Sequence, residues 1–273
     1  MNYKLLPAIA LTFCLAASCN MAGPTKTNST DKTATDSALK AKDSTFSAAY
    51  STEKIKSLQS HFPANKNFPV SIDSAYMTMV AKGHDSLGAN EVKMLVKPGS
   101  EGMLAGPDSS ELSNFCKLDS IKKNHALEKW MDNHPDGMPT QMNAYALQET
   151  PMADETLLIW AFVFSAQQAD PIYEYTDIYC SVLKSNAILI TYKLGELSDG
   201  MDPPMGWESS ITGKLGEDGK LLIDKKNTDF DIDSDTAVLN HIHYEYLFHQ
   251  GFIKLQSKKE DAPKEFKMTP EKQ

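Results

Sequence analysis

Along residues 155–165 the chain reads Glu-Thr-Leu-Leu-Ile-Trp-Ala-Phe-Val-Phe-Ser, with the apolar residues Leu157 to Phe164 following one another without a polar break. Such a segment leaves neither face for water. It is shorter than an ordinary helix and dense in aromatic side chains, so the pattern predicts a strand buried on both sides. Further on, apolar runs come in pairs. Tyr173 to Lys184 and Ala187 to Leu194 flank Ser185-Asn186, and Trp207 to Leu215 and Lys220 to Asp224 flank Gly216 to Gly219 with its Asp-Gly pair. His241 to Phe248 and Phe252 to Leu255 flank His249-Gln250-Gly251. Consecutive hairpins of this kind predict an antiparallel meander.

Ahead of the strands the apolar spacing is helical. Phe46, Tyr50, Ile55, Leu58 and Phe62 recur at intervals of three to five until Pro63 stops the pattern, and Pro69-Val70-Ser71-Ile72 is a short extended piece. Asn90 to Lys97 predicts a modest helix closed by Pro98. Asp108-Ser109-Ser110-Glu111 has capping-box spacing and opens a second, with Leu112, Phe115 and Cys116 on one face. Because Ile121 falls off that stripe, a kink or restart is expected near Asp119-Ser120, before Leu127, Trp130 and Met131 resume a face. Gly99 to Pro107 and His134 to Pro139 read as loops. The expected fold class is therefore α+β, with N-terminal helices packed on one face of a C-terminal antiparallel β-meander sheet.

The first residues carry a different signal. Met1 to Lys4 is a short basic head, and the apolar run Leu5 to Ala17 is too short for the roughly 20 residues of a membrane-spanning helix. Leu15-Ala16-Ala17-Ser18 then lead directly into Cys19. This arrangement resembles the lipobox of bacterial lipoproteins, and the resemblance implies lipidation of Cys19 after removal of residues 1–18. Two or more acyl chains give stable anchoring. Residues 20–45 are Ser, Thr, Lys, Asp, Asn and Ala with little to bury, a composition that predicts a disordered tether reaching about 30 Å. Asn20 stands where such lipoproteins often carry an inner-membrane retention Asp, so the resemblance favours the outer membrane, with the body facing the periplasm. The expected organisation is a signal peptide 1–18, a lipidated Cys and tether 19–45, one globular domain 46–257, and a charged flexible tail 258–273. Over the body this layout also resembles envelope lipoproteins of the Bacteroidetes, which implies a location and no particular activity.

Charge narrows the partners. The formal net charge is −9 and every one of the 27 basic residues is lysine. Without arginine there is no bidentate clamp for phosphate, and an acidic chain repels polyanions, so nucleic acid is excluded as a partner. The expected partners are the membrane, through the lipidated N-terminus, and an envelope protein or small ligand.

Several constellations could carry chemistry. On a strand, His241, His243 and Glu245 share one face while Ile242, Tyr244, Tyr246 and Phe248 share the other. Two imidazoles and a carboxylate suit zinc or another divalent ion, although a wet polar strand face explains the same residues. Met131, His134, Met138 and Met142 are soft ligands at short spacing that suit copper, while Met is also an ordinary core filler. The acidic run Asp229 to Asp235 lacks the glycine and glutamate of a calcium loop and reads as an exposed strand face. Sequence signatures of nucleophile elbows, zinc proteases, phosphate loops and Cys-x-x-Cys motifs are missing. A non-catalytic binding or structural module is the leading reading, with segment 200–207 a place to hold a partner. A hydrolase whose site assembles only in three dimensions stays open as the alternative. Cys116 and Cys180 remain once Cys14 leaves with the signal and Cys19 is lipidated. In an oxidising compartment they are expected to form a disulfide.

Overall fold

The computed structural model describes residues 49–97, 102–123, 141–166 and 172–268. In it the apolar run is strand β4 (Glu155–Ala166), hydrogen-bonded antiparallel to β3 (Gln141–Met152) on one side and β5 (Ile172–Lys184) on the other. Its alternate side chains enter two different cores. Leu158, Trp160, Phe162 and Phe164 join one cluster, and Leu157, Ile159 and Ala161 join the other, all essentially buried. A period of two with both faces covered is what an unbroken apolar strand requires.

From β5 the meander continues through β6 (Ala187–Asp202), β7 (Met205–Leu215), β8 (Lys220–Asp231), β9 (Thr236–His249) and β10 (Phe252–Glu260). The strands lie in the order β10-β9-β8-β7-β6-β5-β4-β3-β2, with β2 (Asp85–Leu87) beside β3. β1 (Val70–Ile72) adds to β7, and β11 (Lys264–Lys267) adds to the edge of β9 beyond β10. Two of the tight hairpin turns use residues at positive φ, Ser185 and Asn186 at 50° and 64° and Gln250 and Gly251 at 50° and 74°. That backbone twist matches the twist of paired strands.

Helices α1 (Thr52–Gln59), α2 (Ser74–Thr78), α3 (Ala89–Leu95) and α4 (Ser109–Lys123) are interleaved with β1 and β2. This corrects the expected α+β layout. Strand makes up 57% and helix 19% of the described residues, so the chain is mainly an antiparallel sheet, and no block of N-terminal helices precedes it. Nor do the helices share one face. Ile55 and Leu58 of α1, Val92 and Leu95 of α3, and Phe115 and Leu118 of α4 enter the Trp160 core, whereas Met77 of α2 enters the other. α4 also runs through Asp119-Ser120 as one helix, without the restart that was an expected alternative there. Leu112, Phe115, Leu118 and Ile121 follow one another at three-residue spacing, which drifts round a straight helix by about 60° per step and needs no break.

Two further expectations are corrected. The charged segment from residue 258, read as a flexible tail, supplies the end of β10 and all of β11, pairing with β9 as far as Lys267. Cys116 and Cys180 are free thiols rather than a disulfide. Cys180 is buried among Ile178 and Val182 on one side of the sheet, while α4, which carries Cys116, packs by Phe115 and Leu118 on the other. The sheet stands between them. Burial pushes the Cys180 thiol up to about 12, a packing role with no nucleophilic character.

Candidate functional site

Two constellations stand out among the described residues, one a cavity where α4 meets the middle of the sheet and the other a polar cluster at its far end. The cavity, of about 230 Å³, is walled by α4, β5, β6 and β7. α4 begins with a reciprocal capping box: Asp108 Oδ1 accepts from the backbone N–H of Ser110 at 2.7 Å and Glu111 at 2.8 Å, and Glu111 Oε2 accepts from the backbone N–H of Asp108 at 3.0 Å. The cap aims the other oxygen of Glu111 at the sheet, where it accepts the Tyr175 hydroxyl at 3.0 Å. Tyr173 and Tyr175 themselves stack on Phe164, at ring separations of 5.0 and 4.7 Å. The third aromatic wall is Trp207. It lies directly across from Gly200, and a Cβ at residue 200 would come within 2.0 Å of its indole. Glycine there lets the indole lie flat on the strand.

The cavity floor is a buried charge network. Lys193 Nζ contacts Asp177 Oδ2 at 2.7 Å and Glu196 Oε2 at 2.9 Å, and Asp177 Oδ2 also accepts the Tyr179 hydroxyl at 2.7 Å. Asp177 is 2% exposed and its Oδ1 has no hydrogen-bond partner. Burial pushes its carboxyl up to about 6, outweighing the pull of the Lys193 ammonium. Burial disfavours that ammonium as well, yet Asp177 and Glu196 hold it above its ordinary range. At the rim, burial and neighbouring Glu174 raise Asp199. Five carboxylates (Glu111, Glu174, Asp177, Glu196 and Asp199) thus line the cavity against one ammonium.

At the far end of the sheet, His241 and His243 share a face of β9, their rings 4.1 Å apart. Asp224 of β8 is paired directly opposite His243, and Asp261 follows β10. His243 Nδ1 contacts Asp224 Oδ1, and its Nε2 lies 3.3 Å from Asp261 Oδ2. His241 Nδ1 is 3.4 Å from Asp261 Oδ2 and its Nε2 is 3.7 Å from Asp224 Oδ1. Hydrogen bonds to Asp224 and Asp261 raise the His243 imidazole above its usual range, whereas burial and the neighbouring His243 lower that of His241. Donor atoms of Asp224, His241 and His243 all lie within 4.8 Å of one another, spacing within reach of a single metal ion.

The structure therefore brings together two of the three residues read from the strand pattern and replaces the third. Glu245 shares the face but pairs with Lys220 at 3.0 Å. Two residues along a strand is about 6.8 Å, farther than a cross-strand neighbour at about 5 Å. Asp224 was missed because it is 19 residues away in the chain. A turn placed at residues 232–235 would have revealed it, since pairing Asp231 with Thr236 sets Asp224 opposite His243. Of the proposed copper ligands, Met131, His134 and Met138 lie outside the described residues, and Met142 is buried in the Trp160 core. Cys19 also lies outside them. Asp229 and Asp231 end β8, and Asp231 Oδ1 accepts the Asp233 N–H at 2.9 Å, an Asx turn of the hairpin.

No protein-family model, curated protein or solved structure matches this chain. No helix among the described residues is long and apolar enough to cross a membrane.

Proposed function

We propose that this chain is a lipid-anchored envelope protein, tethered to the outer membrane through Cys19, whose body is a non-catalytic module that binds a small organic cation. The observation that carries the binding reading is the cavity wall: Tyr173, Tyr175 and Trp207 beside five carboxylates and one lysine. Aromatic faces and uncompensated negative charge both favour an ammonium group, which gains most where water is partly excluded. Glu111 is engaged in capping, and Asp177 and Glu196 in ion pairing with Lys193, which favours binding over hydrolysis.

Choline and its uncharged isostere 3,3-dimethylbutanol separate charge from shape. By calorimetric titration, choline should bind clearly more tightly than the isostere, and Trp207→Ala should weaken choline binding roughly tenfold, the worth of one well-placed cation–π contact. Equal affinity for the two compounds would sink the cation reading. Anchoring is tested separately. Cys19→Ala should move the protein from the membrane pellet to the soluble fraction, because the lipid supplies the hold. A variant that still pellets after a salt wash would end the lipoprotein reading.

A further inference from the structure

We propose that Asp224, His241 and His243 bind one divalent transition-metal ion, zinc foremost, with Asp261 as their outer carboxylate, at the end of the sheet remote from the aromatic cavity. These residues come from three places in the chain, β8, β9 and the residue after β10, and only the register of the sheet assembles them. Each imidazole turns one nitrogen to either acid: His243 Nδ1 and His241 Nε2 face Asp224 Oδ1, the latter at 3.7 Å, and the opposite nitrogens, His243 Nε2 and His241 Nδ1, lie 3.3 and 3.4 Å from Asp261 Oδ2. Ligand bonds of 2.0–2.1 Å around tetrahedral zinc put donor atoms about 3.3 Å apart, and donor atoms of Asp224, His241 and His243 lie within 4.8 Å of one another.

A simpler account makes the cluster a hydrogen-bonded ion-pair network in which His243 is shared by the two aspartates. That account leaves one atom over. His241 Nε2 is buried and has no hydrogen-bond partner, and a buried imidazole nitrogen without a partner costs free energy in any purely structural role. A metal ion between the rings and carboxylates gives it one. Two imidazoles with a carboxylate suit borderline ions such as zinc and disfavour calcium and magnesium, which take all-oxygen shells.

The surroundings hold the donors in place. The backbone N–H of Asp261 donates to the carbonyl of His241 at 3.0 Å, fixing that carboxylate against the strand that carries the histidines. Lys259 Nζ contacts Asp261 Oδ1 at 3.3 Å and leaves Oδ2 facing His241 Nδ1 and His243 Nε2, the outer contact that orients a ligating imidazole. Lys226, paired across from His241, adds a second positive charge nearby, so the site relies on its donor set rather than on net negative charge. Asp261 lies where the chain crosses from β10 to β11, and metal binding would pin both strands to the edge of β9.

The test uses full-length protein in detergent, stripped by chelator and then dialysed against zinc chloride. Bound metal is measured by elemental analysis, and affinity by competition with a chromophoric chelator. One zinc per chain is expected, with no retention of calcium. His243→Gln and Asp261→Asn should each lower affinity roughly a hundredfold, at the upper end of what even outer-shell partners contribute. Glu245→Gln, on the same face but paired to Lys220, should bind zinc as the unaltered protein does. All four residues have solvent-exposed side-chain area, and circular dichroism verifies that each variant is folded. Substoichiometric zinc in the unaltered protein overturns the proposal, as does undiminished affinity in folded Asp261→Asn. Zinc X-ray absorption should show the scattering of two imidazole rings; a shell made only of oxygen overturns the proposal too.

Discussion

Lys193→Met is expected to remove about 3–5 kcal/mol of stability at pH 7, and far less near pH 4. The ammonium sits between Asp177 and Glu196 with 17% of its side chain exposed, and Met of similar length fills its space without its charge. Two carboxylates would then face each other in a largely dry pocket. Ionising both is the costly state, and protonation removes the cost, so the penalty should shrink as pH falls. The unaltered protein should show its own slope. Asp177 titrates near 6 in the folded chain, above the ordinary carboxylate value. A raised carboxyl contributes stability that is fully present below its unfolded pKa of about 4 and is lost as pH rises through about 6. Glu196 is lowered: burial opposes that shift but Lys193 outweighs it, so its contribution is present above its unfolded pKa and fades as pH falls through its folded value. Asp177→Asn keeps the Lys193 to Glu196 contact, so it should change stability at pH 7 by no more than about 1 kcal/mol while removing the Asp177 part of the slope. Urea titrations of the three proteins at pH 4, 5, 6 and 7 measure this. A Lys193→Met deficit that is flat across that range would show that lost packing, rather than the buried carboxylates, sets it.

The same network shows where sequence reading reaches its limit. Asp177, Lys193 and Glu196 meet because β5 pairs with β6 at Asp177 opposite Glu196, with a register shift between Ile178 and Tyr179. That bulge has no marker in the local pattern, and without it the lysine would be paired one place out. Segments whose information is local were legible. The Leu157 to Phe164 run marks a doubly buried strand by itself, Ser185-Asn186 marks a turn, and Asp108 to Glu111 marks a helix start that the structure closes with three hydrogen bonds. Segments that owe their state to neighbours were not. Gln141 to Met152 has a polar middle, with Gln148 and Thr150 buried, and it is a strand because Asn65 and the Gln148 to Thr150 contact satisfy those side chains. Asp85 to Leu87 is a three-residue strand that exists only as an addition to β3 and has no marker in the pattern, while Val70 to Ile72, read as extended, is an addition to β7. Asp261 was invisible for a related reason. A charged run after residue 257 looks unfolded until β9 offers it an edge.

Trp160→Ala should be the most damaging single change in the core, lowering stability by about 4 kcal/mol and the melting temperature by roughly 10 °C. The side chain is fully buried on β4, with its ring 4.9 Å from Tyr179 and 6.4 Å from Phe162. Truncation leaves a cavity that the flanking strands cannot close, because each is hydrogen-bonded into the sheet on both sides. The indole also carries a polar chain: Nε1–H donates to Ser181 Oγ at 2.9 Å, and Ser181 Oγ donates at 2.7 Å to the carbonyl of Leu95, the last residue of α3. Thr191 Oγ1 donates to the same carbonyl at 2.6 Å, so the end of α3 stays bonded when the indole is lost. The cost of Trp160→Ala is therefore mainly the lost ring. Trp160→Phe keeps most of that ring and loses one hydrogen bond, and it should cost only about 1–2 kcal/mol. Thermal and urea unfolding of both variants separates the two contributions. If Phe is as damaging as Ala, the bond to Ser181 matters more than the volume; if neither costs as much as about 1 kcal/mol, β4 is not the centre of the fold.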